Sequence, residues 1–137
     1  MAMRDSAHPR RSIVAAVDDD QRILQSLEIL LDSADYEVRL FSSAKALLED
    51  AGLGEIDILI SDVAMPVMDG FELVRIIQAA RPGLPVIMVT GLPDLVNRAP
   101  VGWPSHYRLF KKPFNGSELL TAVGDALQSP DRRMPDA

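Results

Sequence analysis

Short apolar runs that stop at a polar residue alternate along this chain with stretches whose apolar positions return every three or four residues, the period of a helix with one buried face. Ile13-Val14-Ala15-Ala16-Val17 is the first run and ends in Asp18-Asp19-Asp20. Ile23, Leu24, Leu27, Leu30 and Leu31 then predict a helix to about residue 33, capped by Asp20. Residues 36–41 alternate as a second strand, and Ser42 or Ser43 can cap a short helix through Ala46, Leu47 and Leu48 that stops before Gly52. Residues 56–61 make a third strand that stops at Asp62, and Pro66 and Gly70 mark the following segment as a loop. Asp69 and Glu72 have capping-box spacing, and Phe71, Val74 and Ile77 give the next helix its buried face before Pro82-Gly83 ends it. Residues 85–90 read as a fourth strand, ending at Thr90. In residues 91–105, Pro93, Pro100 and Pro104 with Gly91 and Gly102 leave room only for a short helix over 93–98. Residues 107–111 form the fifth strand, broken by Lys112-Pro113. Asn115 and Glu118 then repeat the capping-box spacing, and Leu119, Leu120, Val123 and Leu127 carry the last helix toward Pro130.

Strand and helix in strict alternation predict an α/β fold, a five-stranded parallel doubly wound sheet with helices on both faces. Parallel strands point their carboxyl ends one way, and ligands of open sheets bind along that edge. The edge gathers Asp18, Asp19, Asp62, Thr90 and Lys112. Singly, each has an ordinary reading: an acid after a strand caps a helix, a threonine ends a strand, a lysine before proline is a solvated edge residue. Together they differ, because carboxylates gathered within about 5 Å repel by roughly 3 kcal/mol per pair at an effective dielectric near 20. A proton or a hard divalent cation relieves that repulsion, and magnesium takes carboxylate, phosphate and water oxygens. Lys112 adds a point charge and Thr90 a hydroxyl, both suited to phosphoryl oxygens, so the edge reads as a phosphoryl site with a metal.

Composition narrows the partners. The chain of 137 residues, 47% hydrophobic, fits one domain with its own core. We expect a domain over residues 12–128 between flexible tails at 1–11 and 129–137. A formal net charge of −6 argues against nucleic-acid binding by the chain itself. The absence of cysteine excludes disulfides and thiol chemistry. No apolar run approaches a membrane span, and the polar start lacks the apolar segment of a secretory signal, so a cytoplasmic domain with no membrane partner is expected.

Val17-Asp18-Asp19-Asp20, Ile60-Ser61-Asp62 with Met65-Pro66 and Asp69-Gly70, residues 86–91 and Lys112-Pro113-Phe114 closely resemble the receiver domain of two-component response regulators. The spacing from Asp19 to Asp62, Thr90 and Lys112 resembles in particular the nitrogen-fixation-regulator-like branch, and the resemblance covers nearly the whole chain. It implies a flavodoxin-like receiver fold with strand order 2-1-3-4-5. It also implies Asp62 as the phosphoacceptor, attacking the phosphohistidine of a histidine kinase or phosphotransfer protein. Mg2+ would be held by Asp19, Asp62 and the backbone carbonyl of Ala64, with Asp18 reaching it through water. Lys112 would pair with Asp62 and then with the phosphoryl group, Thr90 would turn its hydroxyl toward the new oxygens, and the Lys112-Pro113 bond would be cis. The output would pass to a separate effector protein.

Two features depart from that family. Receivers carry an aromatic switch residue three positions before the lysine, where this chain has Leu109; Tyr107 lies on the same strand face but about 6.7 Å away. The fourth helix, part of the family's signalling face, is eroded by prolines. Ala64 has no side chain to orient or block water, and Gly91 leaves the phosphoryl position open, with opposite effects on its lifetime. Trp103 reads as local packing or a partner anchor, and His106 as a surface or packing residue. Two rival functions remain: a receiver fold that binds partners without phosphorylation, and a haloacid-dehalogenase-like phosphatase with Asp18 as nucleophile. Gln21-Arg22 and the lack of a strand-end acid after Lys112 oppose the phosphatase, and the chain reads as a signalling module and not an enzyme.

Overall fold

The computed structural model describes residues 11–91 and 108–128. Five strands, β1 (Ile13–Val17), β2 (Glu37–Phe41), β3 (Ile58–Asp62), β4 (Val86–Thr90) and β5 (Arg108–Lys111), form one sheet in the order β2-β1-β3-β4-β5. All four pairings are parallel. The described helices are α1 (Gln21–Ser33), α2 (Ala44–Leu48), α3 (Gly70–Ala80) and α4 (Gly116–Gln128). The expected doubly wound fold and strand order are those observed. The expected helix over 93–98, Tyr107, Trp103 and His106 lie outside the described residues.

The apolar runs are continuous because both sheet faces are covered. Successive side chains of one strand point to opposite sides. Ala15, Val17, Leu59 and Met88 therefore join Leu47, Phe71, Val74 and Ile77 in one layer, under α2 and α3. Val14, Ala16, Ile60, Ile87 and Phe110 join Leu24, Leu27, Leu31, Leu119 and Val123 in the other, under α1 and α4. Each fully buried Leu or Ile contributes about 1.5–3 kcal/mol relative to exposure.

The helix starts follow the polar pattern. Asp20 accepts from the Arg22 amide at 2.9 Å, Asp69 from that of Glu72 at 2.9 Å, and Asn115 from that of Glu118 at 3.0 Å. Of the two serines before α2, Ser43 is the cap, accepting from the Ala46 amide at 3.1 Å. The third strand runs from Ile58 to Asp62, two residues later at its start than the apolar run suggests. Asp57 sits ahead of it as a clamp: its amide donates to the Ile13 carbonyl at 2.8 Å, and its carboxylate accepts from the Ile13 amide at 2.7 Å. A 3₁₀ turn at Leu53–Glu55, not expected from the sequence, leads into that clamp.

Candidate functional site

Strand order reverses between β1 and β3, whose neighbouring carboxyl ends deliver Asp18 and Asp62 to one crevice. Asp62 is the last residue of β3 and is paired in register with Val89, while Thr90 ends β4 opposite Lys111. The Lys112 amide donates to the Thr90 carbonyl at 2.7 Å, and the Lys112–Pro113 bond is cis. The lysine thus leaves β5 at the height of the acids.

Asp18, Asp62 and Thr90 are buried, whereas Asp19 is exposed. One carboxylate oxygen from each of Asp18, Asp19 and Asp62 lies within 4.8 Å of the others. Lys112 Nζ reaches Asp18 Oδ2 at 2.8 Å and Asp62 Oδ1 at 3.3 Å. The structure therefore brings Asp18, Asp19, Asp62 and Lys112 together at this edge, and Thr90 ends the neighbouring strand β4. Asp20, the third acid of the run, is not in the cluster. Hydrogen bonds from the Arg22 guanidinium and backbone hold its carboxyl below the usual carboxylate range, as a helix cap.

Burial, then the charge of Asp18, pushes the Asp62 carboxyl up from 3.8 to about 6, although Lys112 pulls it back. For Lys112, burial works against the charge but is outweighed by the bonds and charges of Asp18 and then Asp62, so its net direction is upward. One ammonium facing three carboxylates leaves two negative charges uncompensated, the charge of one divalent cation. An all-oxygen donor set with one exposed member fits a hard cation that keeps part of its water shell.

The loop after Asp62 shapes the crevice. Ala64 is half-buried there. Gly70, the first residue of α3, donates to the Val63 carbonyl at 2.8 Å. A Cβ on Gly70 would run into the carbonyl oxygen of Asp62, and Met88 Cε and Val63 Cα stand 3.0 Å from it. The glycine is thus required for α3 to close on the strand end that carries Asp62. Gly70→Ala is expected to lose about 1–3 kcal/mol of stability in urea unfolding, as an overpacked core does. Gly91 is more permissive, since a Cβ there would meet Lys112 Cδ at 3.9 Å and Lys112 Cβ at 4.0 Å, both ordinary contacts.

Val67, at the tip of the same loop, is fully exposed and holds φ 71°, the left-handed region that a β-branched residue rarely enters. Asp35 adopts the same φ, but a short polar side chain tolerates it. Val67→Asn is expected to raise stability by about 1 kcal/mol, measured as an increase in urea midpoint at constant slope.

The position where receivers carry their switch aromatic is a surface position here. Leu109 is 39% exposed on β5, while Phe110, its neighbour, is buried on the other face beneath Arg108. Sequence reasoning did not find the clamp at Asp57, nor the role of Gly70 against Asp62, because each depends on a contact between distant elements. The Asp69-Gly70 pair was visible as a motif, but not its steric reason.

The family model described as response regulator receiver domain matches residues 14–124. The chain is 38% identical over 126 residues to the DNA-binding transcriptional regulator NtrC of Bradyrhizobium sp. (strain RP501 Parasponia), which covers 92% of this chain and 26% of that protein. It is 30% identical over 115 residues to the transcriptional regulatory protein FixJ of Bradyrhizobium diazoefficiens, covering 84% of this chain and 56% of FixJ. Among solved structures, the signal receiver domain of an HD domain-containing protein from Pseudomonas fluorescens Pf-5 matches with a TM-score of 0.77 at 33% identity, over 87% of this chain and 96% of that one. The chain spans roughly a quarter to just over half the length of these curated relatives.

Proposed function

This chain belongs to the response regulator receiver domain family, and on that premise we propose that Asp62 is the residue that accepts the phosphoryl group. The function is that of a phosphoacceptor receiver, and the family is a signalling module, not a phosphatase. The observation that carries the reading is the charge balance at the sheet edge, where three clustered carboxylates face one lysine. A module that merely binds partners has no use for a buried, self-repelling acid cluster, which destabilises the fold; a phosphoryl acceptor requires it.

The donor is a phosphohistidine on a histidine kinase or phosphotransfer protein. A carboxylate oxygen of Asp62 attacks phosphorus in line; the new O–P bond forms as the P–N bond breaks, and the imidazole nitrogen leaves with the electron pair and takes a proton from water. Mg2+ would be held by Asp19, Asp62 and the backbone carbonyl of Ala64, with Asp18 reaching it through water, and would neutralise charge on the transferred phosphoryl oxygens. Lys112, already 3.3 Å from the acceptor, shifts its ion pair from the carboxylate to the phosphoryl group, and the Thr90 hydroxyl donates to a second oxygen. Glycine at 91 leaves that position accessible. With an aliphatic Leu109 at the surface, the readout does not use an inward-turning aromatic at that position, and the output goes to a separate effector protein in the cytoplasm. No helix among the described residues is long and apolar enough to cross a membrane.

The test is incubation with acetyl phosphate followed by intact-mass measurement. The wild type should gain one phosphoryl group only when Mg2+ is present, and Asp62→Asn none. An unlabelled wild type, or equal labelling of the variant, would overturn the reading and favour the phosphorylation-independent module.

A further inference from the structure

The geometry points to Ser61 as a positioning residue, one that sets the orientation of the phosphoacceptor without touching the reacting atoms; the inference rests on the phosphoacceptor reading of Asp62. Ser61 and Asp62 are consecutive in β3, so their side chains leave opposite faces of the sheet. Ser61 stands in register with Val17 and Met88, both members of the apolar layer under α2 and α3. It is wholly buried there. An aliphatic residue would suit that layer better, since a buried hydroxyl must find a partner. Its partner is the carbonyl oxygen of Asp62 itself, 3.0 Å from Oγ.

That oxygen is also the atom that leaves no room for a side chain on Gly70. It is therefore held by a hydroxyl and closed in by a bare Cα. The peptide plane beyond it continues into Val63, whose amide donates to Val89 at 2.9 Å and whose carbonyl accepts from Gly70. Rotation about ψ of Asp62 would turn this plane relative to the Asp62 carboxylate and carry the Ala64 carbonyl with it. Ser61 restrains that rotation, and so fixes how the acceptor carboxylate and the backbone oxygen two residues later face a common cation. Nothing in the chemistry of transfer requires a hydroxyl on the far face of the sheet; the bond to the Asp62 carbonyl gives it one.

Ser61→Ala removes a single oxygen and cannot clash. Titration calorimetry with Mg2+ should show binding about fivefold weaker, and uptake from acetyl phosphate at saturating Mg2+ should slow by about tenfold, the scale expected when a reacting group is slightly misplaced. Ser61→Thr should bring both back to within about twofold of wild type, whereas the isosteric Ser61→Val should behave as Ser61→Ala does. Leu31→Val, in the opposite layer, serves as a variant destabilised away from the site and should leave Mg2+ affinity unchanged. Wild-type values in Ser61→Ala, or the same defect in Leu31→Val, would overturn the inference, and this pair decides it even where the larger residues fail to fold. Equal behaviour of the Thr and Val variants, when both fold, would overturn it as well. If the wild type binds Mg2+ but accepts no phosphoryl group, the phosphoacceptor reading fails on its own; the inference then stands or falls with the Mg2+ affinity of Ser61→Ala.

Discussion

Lys112→Ala should lose about 3–5 kcal/mol of stability at pH 8 and much less at pH 5, measured by urea unfolding at both pH values. The size follows from what the ammonium faces: Asp18, 1% exposed, at 2.8 Å, and Asp62, 4% exposed, at 3.3 Å. Removing one partner of a buried pair leaves the other as an uncompensated charge. Here it leaves two, and each repels the other. The pH dependence has a definite sign. Lys112 lowers the Asp62 pKa, so its loss moves that carboxyl further above about 6, and more of it is protonated and neutral at pH 5. Acid therefore repairs the variant, and Mg2+ at pH 8 should repair it in part. Uptake from acetyl phosphate should fall by about a hundredfold, the scale for loss of one charge-stabilising donor in a transition state. A loss of stability that is the same at pH 5 and pH 8 would show that the lysine contributes packing and not charge.

Asp62→Asn should instead stabilise the metal-free protein at neutral pH. The Asp62 carboxyl titrates at about 6 in the fold, above its unfolded value of 3.8, because burial and Asp18 disfavour its ionised form. The folded state thus holds the proton more tightly, and the associated stability is complete below pH 3.8 and lost as pH rises through 6. Each pKa unit corresponds to about 1.4 kcal/mol, so ionised Asp62 costs the metal-free fold about 3 kcal/mol. The asparagine avoids this cost. Its advantage in urea should be about 2–3 kcal/mol at pH 7.5 and fade toward pH 4. Magnesium should narrow this gap, since at ten times its dissociation constant it stabilises the wild type by about 1.4 kcal/mol and the variant by less.

The alternation of strands and helices was legible in the chain because buried parallel strands write themselves as unbroken apolar runs, and capping residues at Asp20, Asp69 and Asn115 mark where helices begin. The acidic edge was legible for a related reason: strand ends fix which side chains share a crevice, so Asp18, Asp62, Thr90 and Lys112 follow from the run boundaries. What stayed hidden depends on partners far away in sequence. Asp57 reads as a polar interruption of an apolar run until Ile13, 44 residues earlier, supplies both halves of its clamp. Ser61 reads as the end of a run until its hydroxyl is seen on the Asp62 carbonyl. Val67 carries no sign in the sequence of its left-handed backbone, because nothing in valine favours it; the closure of α3 onto β3 through Gly70 accompanies it.

Chemical trapping of the phosphorylated residue tests the central claim most directly. After incubation with acetyl phosphate and Mg2+, borohydride reduces an aspartyl phosphate to homoserine, and peptide mass mapping locates the change. Homoserine at position 62, absent without Mg2+, is the predicted result. Homoserine at position 18 or 19, or at none, would contradict it.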